Sequence, residues 1–182
     1  MTGTLSQALL AVHEILESAA IPHALCGGLA ANLYRKEVRA TSDVDIAIAV
    51  GPARMVDLVR TFDQAGWKPE PYWRKGEQLR LAHRDLPRVD CLVATTDYER
   101  AAIDRAVSAE IEGREVRVLT AEDLIVFKLI AGRARDYEAV AAIINARRGR
   151  LDIDYIKGWL EQFGTPEAWK RAVDEARRES GG

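Results

Sequence analysis

Long uninterrupted apolar runs are missing from this chain, and with them the segment that a secretory leader or a membrane span requires. The first residues are polar and pass straight into an amphipathic pattern, so a cytoplasmic protein without a membrane partner is expected. Cysteine is scarce. Cys26 and Cys91 each sit inside an apolar stretch without CxxC spacing, which excludes a disulfide scaffold and a cysteine zinc site and predicts two buried thiols. The three histidines, His13, His23 and His83, show no metal-ligand spacing, and none is assigned a role. An excess of one charge is also lacking. A net charge of -2 gives no chain-wide attraction to nucleic acid or anionic lipid, so any polyanion site must be a local patch. Low-complexity tracts and internal repeats are absent too, which argues against a disordered or solenoid chain.

What is present is a composition of 48% apolar and 30% charged residues over 182 positions, enough for one domain with its own core and a helical extension. Leu5, Leu9, Val12, Leu16 and Ala19 recur at helical spacing up to Pro22. His23 to Cys26 reads as a short strand, Gly27-Gly28 as a turn, and Leu29 to Lys36 as a second helix. Asp43 to Val50 is the clearest strand: Val44, Ile46, Ile48 and Val50 share one face, and Asp43, Asp45, Ala47 and Ala49 the other. A helix over Ala53 to Ala65 follows, then short strands around Trp67 to Pro69, Glu77 to His83 and Arg88 to Ala94. Asp97 to Val107 reads as helix, and Ala109 to Ile111 with Glu115 to Val118 as a small hairpin about Glu112-Gly113-Arg114. From Thr120 onward only helices are expected, to about Arg133, then over Asp136 to Arg147, Asp152 to Gln162 and Glu167 to Arg178. The division is thus an α/β core over residues 1–119 and a C-terminal helical region over 120–182, packed on it.

The chemistry concentrates at Asp43-Val44-Asp45. Strand alternation sends both carboxylates to one face, about 6.6 Å apart along the chain, and Val44 into the core. Hard cations such as Mg²⁺ prefer carboxylate oxygens and complete their shell with water and substrate phosphates, so an aspartate pair without a protein cage suits a metal-nucleotide site. Small Ala47 and Ala49 on the same face would leave room for a ligand. Asp90, within Arg88-Val89-Asp90-Cys91-Leu92-Val93, alternates against a buried face and is the candidate third carboxylate, either deprotonating an attacking hydroxyl or completing the ion's shell. A plain surface aspartate is the alternative reading. Gly27-Gly28, between a strand and a helix, lets backbone N–H groups approach phosphate.

Lys128 interrupts the apolar run Leu124 to Ile130, so its ammonium must reach solvent, a carboxylate or an anion. At helical spacing it shares a face with Gly132 and Arg135, which would bring a second cation to a phosphate. Arg74, Lys75, Arg80, Arg84 and Arg88 cluster around the hairpins. Beside the metals they would suit an RNA acceptor, with Trp67, Tyr72 and Trp73 as stacking surfaces, although solvated faces and core packing explain the same residues.

Cys26-Gly27-Gly28-Leu29-Ala30, followed by Arg39-Ala40-Thr41-Ser42-Asp43-Val44-Asp45-Ile46, resembles the first motif of the DNA polymerase beta-like nucleotidyltransferases, and most closely that of the AbiEii/AbiGii toxin group. Glu122 to Ala131 with Arg135-Asp136-Tyr137 is similar to the same group's downstream lysine and Arg-Asp motifs. The resemblance implies an α+β fold, a mixed sheet flanked by helices with a C-terminal helical segment. It implies Mg²⁺ or Mn²⁺ as cofactor and transfer of a nucleoside monophosphate from an NTP to a hydroxyl on RNA, protein or a small molecule. An antitoxin partner would accompany the toxin role. By position it assigns Gly27, Gly28, Arg39, Thr41 and Ser42 to the nucleotide, and Asp43, Asp45 and Asp90 to the metals and catalysis. Lys128 falls to phosphate, with Arg135 and Asp136 on the nucleotide side. Two other readings keep these residues: a catalytically inactive nucleotide-sensing or partner-binding module, and a phosphotransferase that moves the γ-phosphoryl group.

Overall fold

The structure is a computed structural model that describes residues 3–71 and 78–180. Tyr72, Trp73, Arg74, Lys75 and Glu77, considered above, lie outside the described residues. The chain forms two compact units, Met1–Leu29 with Ala40–Leu119, and Ala30–Arg39 with Thr120–Gly182. The sequence pattern places the division at residue 119 and misses the return of 30–39 to the later unit. Long-range partners explain it: Arg39 Nη1 donates to Glu138 Oε2 at 2.9 Å, and the Arg147 guanidinium lies 5.3 Å from the Tyr34 ring centre.

The first unit begins with α1 (Leu5–Ser18), whose N-terminus is closed by a reciprocal pair: Thr4 Oγ1 accepts from Gln7 N while Gln7 Oε1 accepts from Thr4 N. There follow β1 (His23–Cys26), the start of α2 (Gly27–Asn32), β2 (Val44–Ile48), α3 (Pro52–Gln64), β3 (Lys68–Pro71), β4 (Gln78–Ala82), β5 (Val89–Val93), α4 (Asp97–Asp104), β6 (Val107–Ile111) and β7 (Arg114–Val118). The strands build one seven-stranded mixed sheet in the order β3-β4-β5-β2-β1-β7-β6. β2 is parallel to β5 and antiparallel to β1, while β1 is parallel to β7. The α+β fold read from the sequence is the one observed.

Val44, Ile46 and Ile48 are fully buried, each stabilising the unit by roughly 1.5–3 kcal/mol. Helix α1 packs on β2 and β5, and α4 on β2. The opposite face of β2 is less open than the alternation suggests, because Ala47 is also buried. Pro69 is tolerated because β3 is an edge strand, where a missing N–H need not break the ladder.

Two boundaries differ from the periodicity for identifiable reasons. Helix α4 stops at Asp104 instead of running to Val107, because Arg117 of β7 donates to the carbonyls of Ile103, Asp104 and Ala106 and closes the helix end. Val107 is then free to pair with Val118. The β6–β7 hairpin turns in two residues, Glu112 and Gly113, with φ of 49° and 76°, the pair of positive values that matches strand twist. Arg114 thus belongs to the strand, paired with Ile111.

The second unit contains α5 (Ala121–Ala131), α6 (Ala134–Ala146), α7 (Ile153–Gln162) and α8 (Glu167–Ser180). α5 is apolar nearly all round, with Leu124, Ile125, Val126 and Leu129 buried, and it packs on α6, α7 and α8. Its cap Thr120 accepts from Asp123 N and donates to Asp123 Oδ2, while Tyr155 Oη donates to Asp123 Oδ1 at 2.7 Å. Asp123 is fully buried, and these bonds satisfy its carboxyl oxygens there. α6 packs on α8, Ala139, Ala172 and Ala176 are buried, and Asn145 Nδ2 donates to Ala176 O at 2.9 Å. Among the described residues no helix is long and apolar enough to cross a membrane.

Candidate active site

Register brings the sequence-distant acids together. Asp45 on β2 lies directly opposite Asp90 on β5 in the parallel pair, and opposite Cys26 on β1 in the antiparallel pair. Facing residues of adjacent strands point to the same side, so Asp45 and Asp90 share one face, which Asp43, two residues earlier, continues. Asp90 is nearly buried and Asp43 is half-buried at the rim.

The glycine turn abuts this face. Gly27 follows Cys26 directly and has φ of +65°, which L side chains rarely adopt. A Cβ there would overlap Asp45 Oδ2 and sit 2.5 Å from its Cγ, so the absent side chain is what admits the carboxylate. At Gly28 a Cβ would come 3.0 Å from Thr41 Oγ1, and that hydroxyl in turn donates to Asp43 Oδ1 at 3.3 Å. The turn, Thr41 and the two aspartates of β2 thus form one continuous surface. The helix after the turn is shorter than the pattern suggests. α2 begins at Gly27 and ends at Asn32, whose side chain instead bonds both N and O of Arg39.

Two arginines balance the acids. Arg88 Nη2 donates to Asp43 Oδ2 at 2.6 Å and its Nε lies 3.4 Å from Asp90 Oδ2, while Arg80 Nε donates to Asp90 Oδ1 at 3.0 Å. Arg80 faces Asp90 across the β4–β5 pair, and Arg88 precedes it by two residues on the same side. In the sequence both arginines belong to the basic cluster around the hairpins, and the Arg88-Val89-Asp90 spacing is the local signal for Arg88 alone. Cys91 points to the other side; burial first, then Asp90 and Asp45, push its thiol far above the ordinary range and keep it protonated. Both cysteines are buried, as their apolar surroundings imply.

The donor set fits a hard divalent cation, since it offers carboxylate oxygens next to backbone that has no Cβ in the way. In this state Asp43 and Asp90 are held by the arginines, and the three acids do not bring one oxygen each within 4.8 Å of one another.

Ser42 is exposed before β2. Arg39, Lys128, Arg135 and Asp136 belong to the second unit. There Asp136 is buried, with Arg133 Nε donating to its Oδ2 at 2.6 Å and Lys128 Nζ 3.7 Å from its Oδ1. The face drawn through Lys128, Gly132 and Arg135 does not exist, because Gly132 closes α5 in a left-handed conformation and Arg135 sits on α6. Trp67 is buried against His83, their ring centres 5.0 Å apart, and so is no stacking platform.

Residues 5–172 match the model of a family described as a nucleotidyltransferase of unknown function (DUF6036). The chain belongs to this family. This nucleotidyltransferase is also similar in fold to solved structures. ANT(2")-Ia, in complex with adenylyl-2"-tobramycin, shares 18% identity over 90% of this chain and 98% of its own, with a TM-score of 0.62. An antigenic nucleotidyltransferase-like protein from Paracoccidioides brasiliensis shares 17% identity over 94% of each chain, with a TM-score of 0.57. The lincosamide antibiotic adenylyltransferase LnuA, lincomycin-bound, shares 17% over 75% of this chain and 94% of its own, with a TM-score of 0.55. No curated protein matches the sequence.

Proposed function

We propose that this nucleotidyltransferase transfers a nucleoside monophosphate from an NTP to a hydroxyl of a small polar acceptor, in a reaction dependent on Mg²⁺ or Mn²⁺. The observation that carries the reading is the alignment of Asp45 with Asp90 across β2 and β5, with the Gly27 backbone pressed against Asp45. Backbone N–H groups at Gly27 and Gly28 bind phosphate oxygens, as a turn without Cβ atoms permits. Asp43 and Asp45 would hold the divalent cation, with Asp90 completing its shell. A bound ion of that kind would neutralise the triphosphate and stabilise charge at the α-phosphorus. The acceptor oxygen forms its bond to that phosphorus as the bond to pyrophosphate breaks, and Asp90 takes the hydroxyl proton after giving up one arginine contact. Arg80 and Arg88 are positioned on the same face to meet the triphosphate once they leave the acids. The small-molecule acceptor is favoured by the ANT(2")-Ia and LnuA likenesses, in which an aminoglycoside adduct and a lincosamide are bound.

Incubation with α-labelled NTP and a library of hydroxylated acceptors tests this. Label should move to an acceptor with Mg²⁺ and not with chelator, and Asp45→Asn should lower transfer by roughly 10²–10⁴-fold with unchanged melting. Transfer of γ-label would instead identify a phosphotransferase, and magnesium-dependent NTP binding without product a sensor.

The Arg39, Thr41, Asp43-Val44-Asp45 and Arg135-Asp136 pattern supports a second reading, a toxin of the AbiEii/AbiGii kind with RNA or protein as acceptor and an antitoxin as partner. Growth arrest on expression in a bacterial host, relieved by Asp45→Asn, is its test. For Lys128 the pairing with Asp136 supports a structural role. A higher KM for NTP at unchanged melting temperature in Lys128→Met would restore the phosphate role.

A further inference from the structure

We propose that His13, Glu17 and His23 form a second metal site, separate from the aspartate face, which takes a borderline divalent cation of the zinc class. The residues come from two elements of the first unit. His13 and Glu17 are four apart on α1 and so share a helix face, while His23 opens β1 after the turn through Ile21 and Pro22. One ligand atom from each lies within 4.8 Å of the others, and among the described residues this is the one such group of three. The sequence spacing hides it, because the third ligand arrives by a chain reversal.

Ring orientation is the second argument. His23 Nδ1 lies 2.7 Å from Ile21 O, which can only accept, so Nδ1 carries the proton and Nε2 directs its lone pair at the cluster. Metal-binding histidines are held in this way, by a backbone carbonyl on the nitrogen remote from the ion. Without an ion, His13 Nδ1 donates to that lone pair at 2.8 Å; on binding, the His13 proton shifts to Nε2 so that Nδ1 can ligate, and Glu17 Oε1 lies 3.8 Å from His23 Nε2. Two nitrogens bound tetrahedrally at about 2.0–2.1 Å from zinc stand roughly 3.3 Å apart, so the imidazoles need open by only about 0.5 Å. Both histidines are buried, whereas Glu17 is exposed, which leaves the solvent side for a water as fourth ligand. Arg117, the neighbouring cation, is turned to the carbonyls of Ile103, Asp104 and Ala106.

Two imidazoles with one carboxylate select zinc, cobalt or nickel over magnesium. The site therefore does not compete with the aspartates for their cation. It pins α1 to the start of β1, whose far end, about 10 Å away, leads into Gly27.

The test uses tag-free, chelator-stripped full chain titrated with Zn²⁺ in millimolar Mg²⁺, with a melting curve at each step. One equivalent should bind with Kd on the order of micromolar or tighter and raise Tm, and Co²⁺ should give the visible absorption of a four-coordinate ion. Glu17→Gln, which alters only an exposed side chain, and His23→Gln should each weaken binding by about 10–100-fold or more. Asp45→Asn should bind zinc as the wild type does. A folded wild type that takes up no stoichiometric zinc overturns the proposal, as does binding that Glu17→Gln leaves intact or that Asp45→Asn removes. In the first case the histidines are simply a hydrogen-bonded pair.

Discussion

Replacement of Gly27 by alanine tests the architecture of the aspartate face most directly. Two costs follow from the structure. The φ of +65° is strained for an L residue, which destabilises by roughly 1–2 kcal/mol. The new methyl would also stand 2.5 Å from Asp45 Cγ and 2.6 Å from its Cβ, against an optimum of about 3.5–4.0 Å, so the carboxylate must retreat by about 1 Å. A misplacement of that size at a catalytic group costs on the order of 10²-fold, near 2.7 kcal/mol in the barrier. Gly27→Ala should therefore remain folded, with Tm lowered by about 2–8 °C, and lose about a hundredfold or more in kcat/KM for nucleotidyl transfer. Gly28→Ala, whose Cβ meets only Thr41 at 3.0 Å, should lose less. Gly51→Ala is the control, since φ is -80° and a Cβ there meets nothing within 4 Å. Scanning calorimetry and steady-state kinetics on the three variants decide the matter. A folded Gly27→Ala enzyme within about threefold of wild type, under 1 kcal/mol, would refute the placement of Asp45 in the reaction.

Arg80→Met removes a hydrogen bond to the nearly buried Asp90 and should cost about 1–3 kcal/mol in urea unfolding, with a fall in activity, whereas Arg84→Met, at an exposed side chain, should be silent in both. Asp136→Asn leaves Lys128 and Arg133 beside a neutral group and should lower stability by about 2–4 kcal/mol; an unchanged unfolding midpoint would contradict the structural role given to that pair. Cys91 stays protonated in the folded protein while the unfolded thiol ionises around pH 9, so the unfolded state binds fewer protons at high pH. Its contribution to stability is therefore full below that range and falls as pH rises through it, by up to about 1.4 kcal/mol per pH unit, and Cys91→Ala should flatten this slope in denaturant melts from pH 8 to 10.

Several features of the fold were legible because they depend on neighbours a few residues away. The alternation from Asp43 to Val50 marks β2, which ends at Ile48, and the shared side of Asp43 and Asp45; Thr120, ahead of a helical pattern, marks the start of α5. The break at Gly27-Gly28 marked the turn, and the apolar surroundings of Cys26 and Cys91 marked buried thiols. Where local signals compete with distant partners, periodicity misleads: the helical pattern continues to Val107, yet Arg117, thirteen residues beyond Asp104, closes α4 there. The face through Lys128 and Arg135 failed because helical spacing was carried across Gly132.

The sequence by itself determined the types and most bounds of the elements and the pairing of Asp43 with Asp45, since periodicity and capping are local physics. Strand order and register belong to the tertiary structure alone. These set Asp90 opposite Asp45, brought Arg80 and Arg88 to the acids, covered Ala47, and turned His23 back onto His13 and Glu17. The physical reason is that the packing of side chains from distant segments selects among pairings that local sequence leaves open.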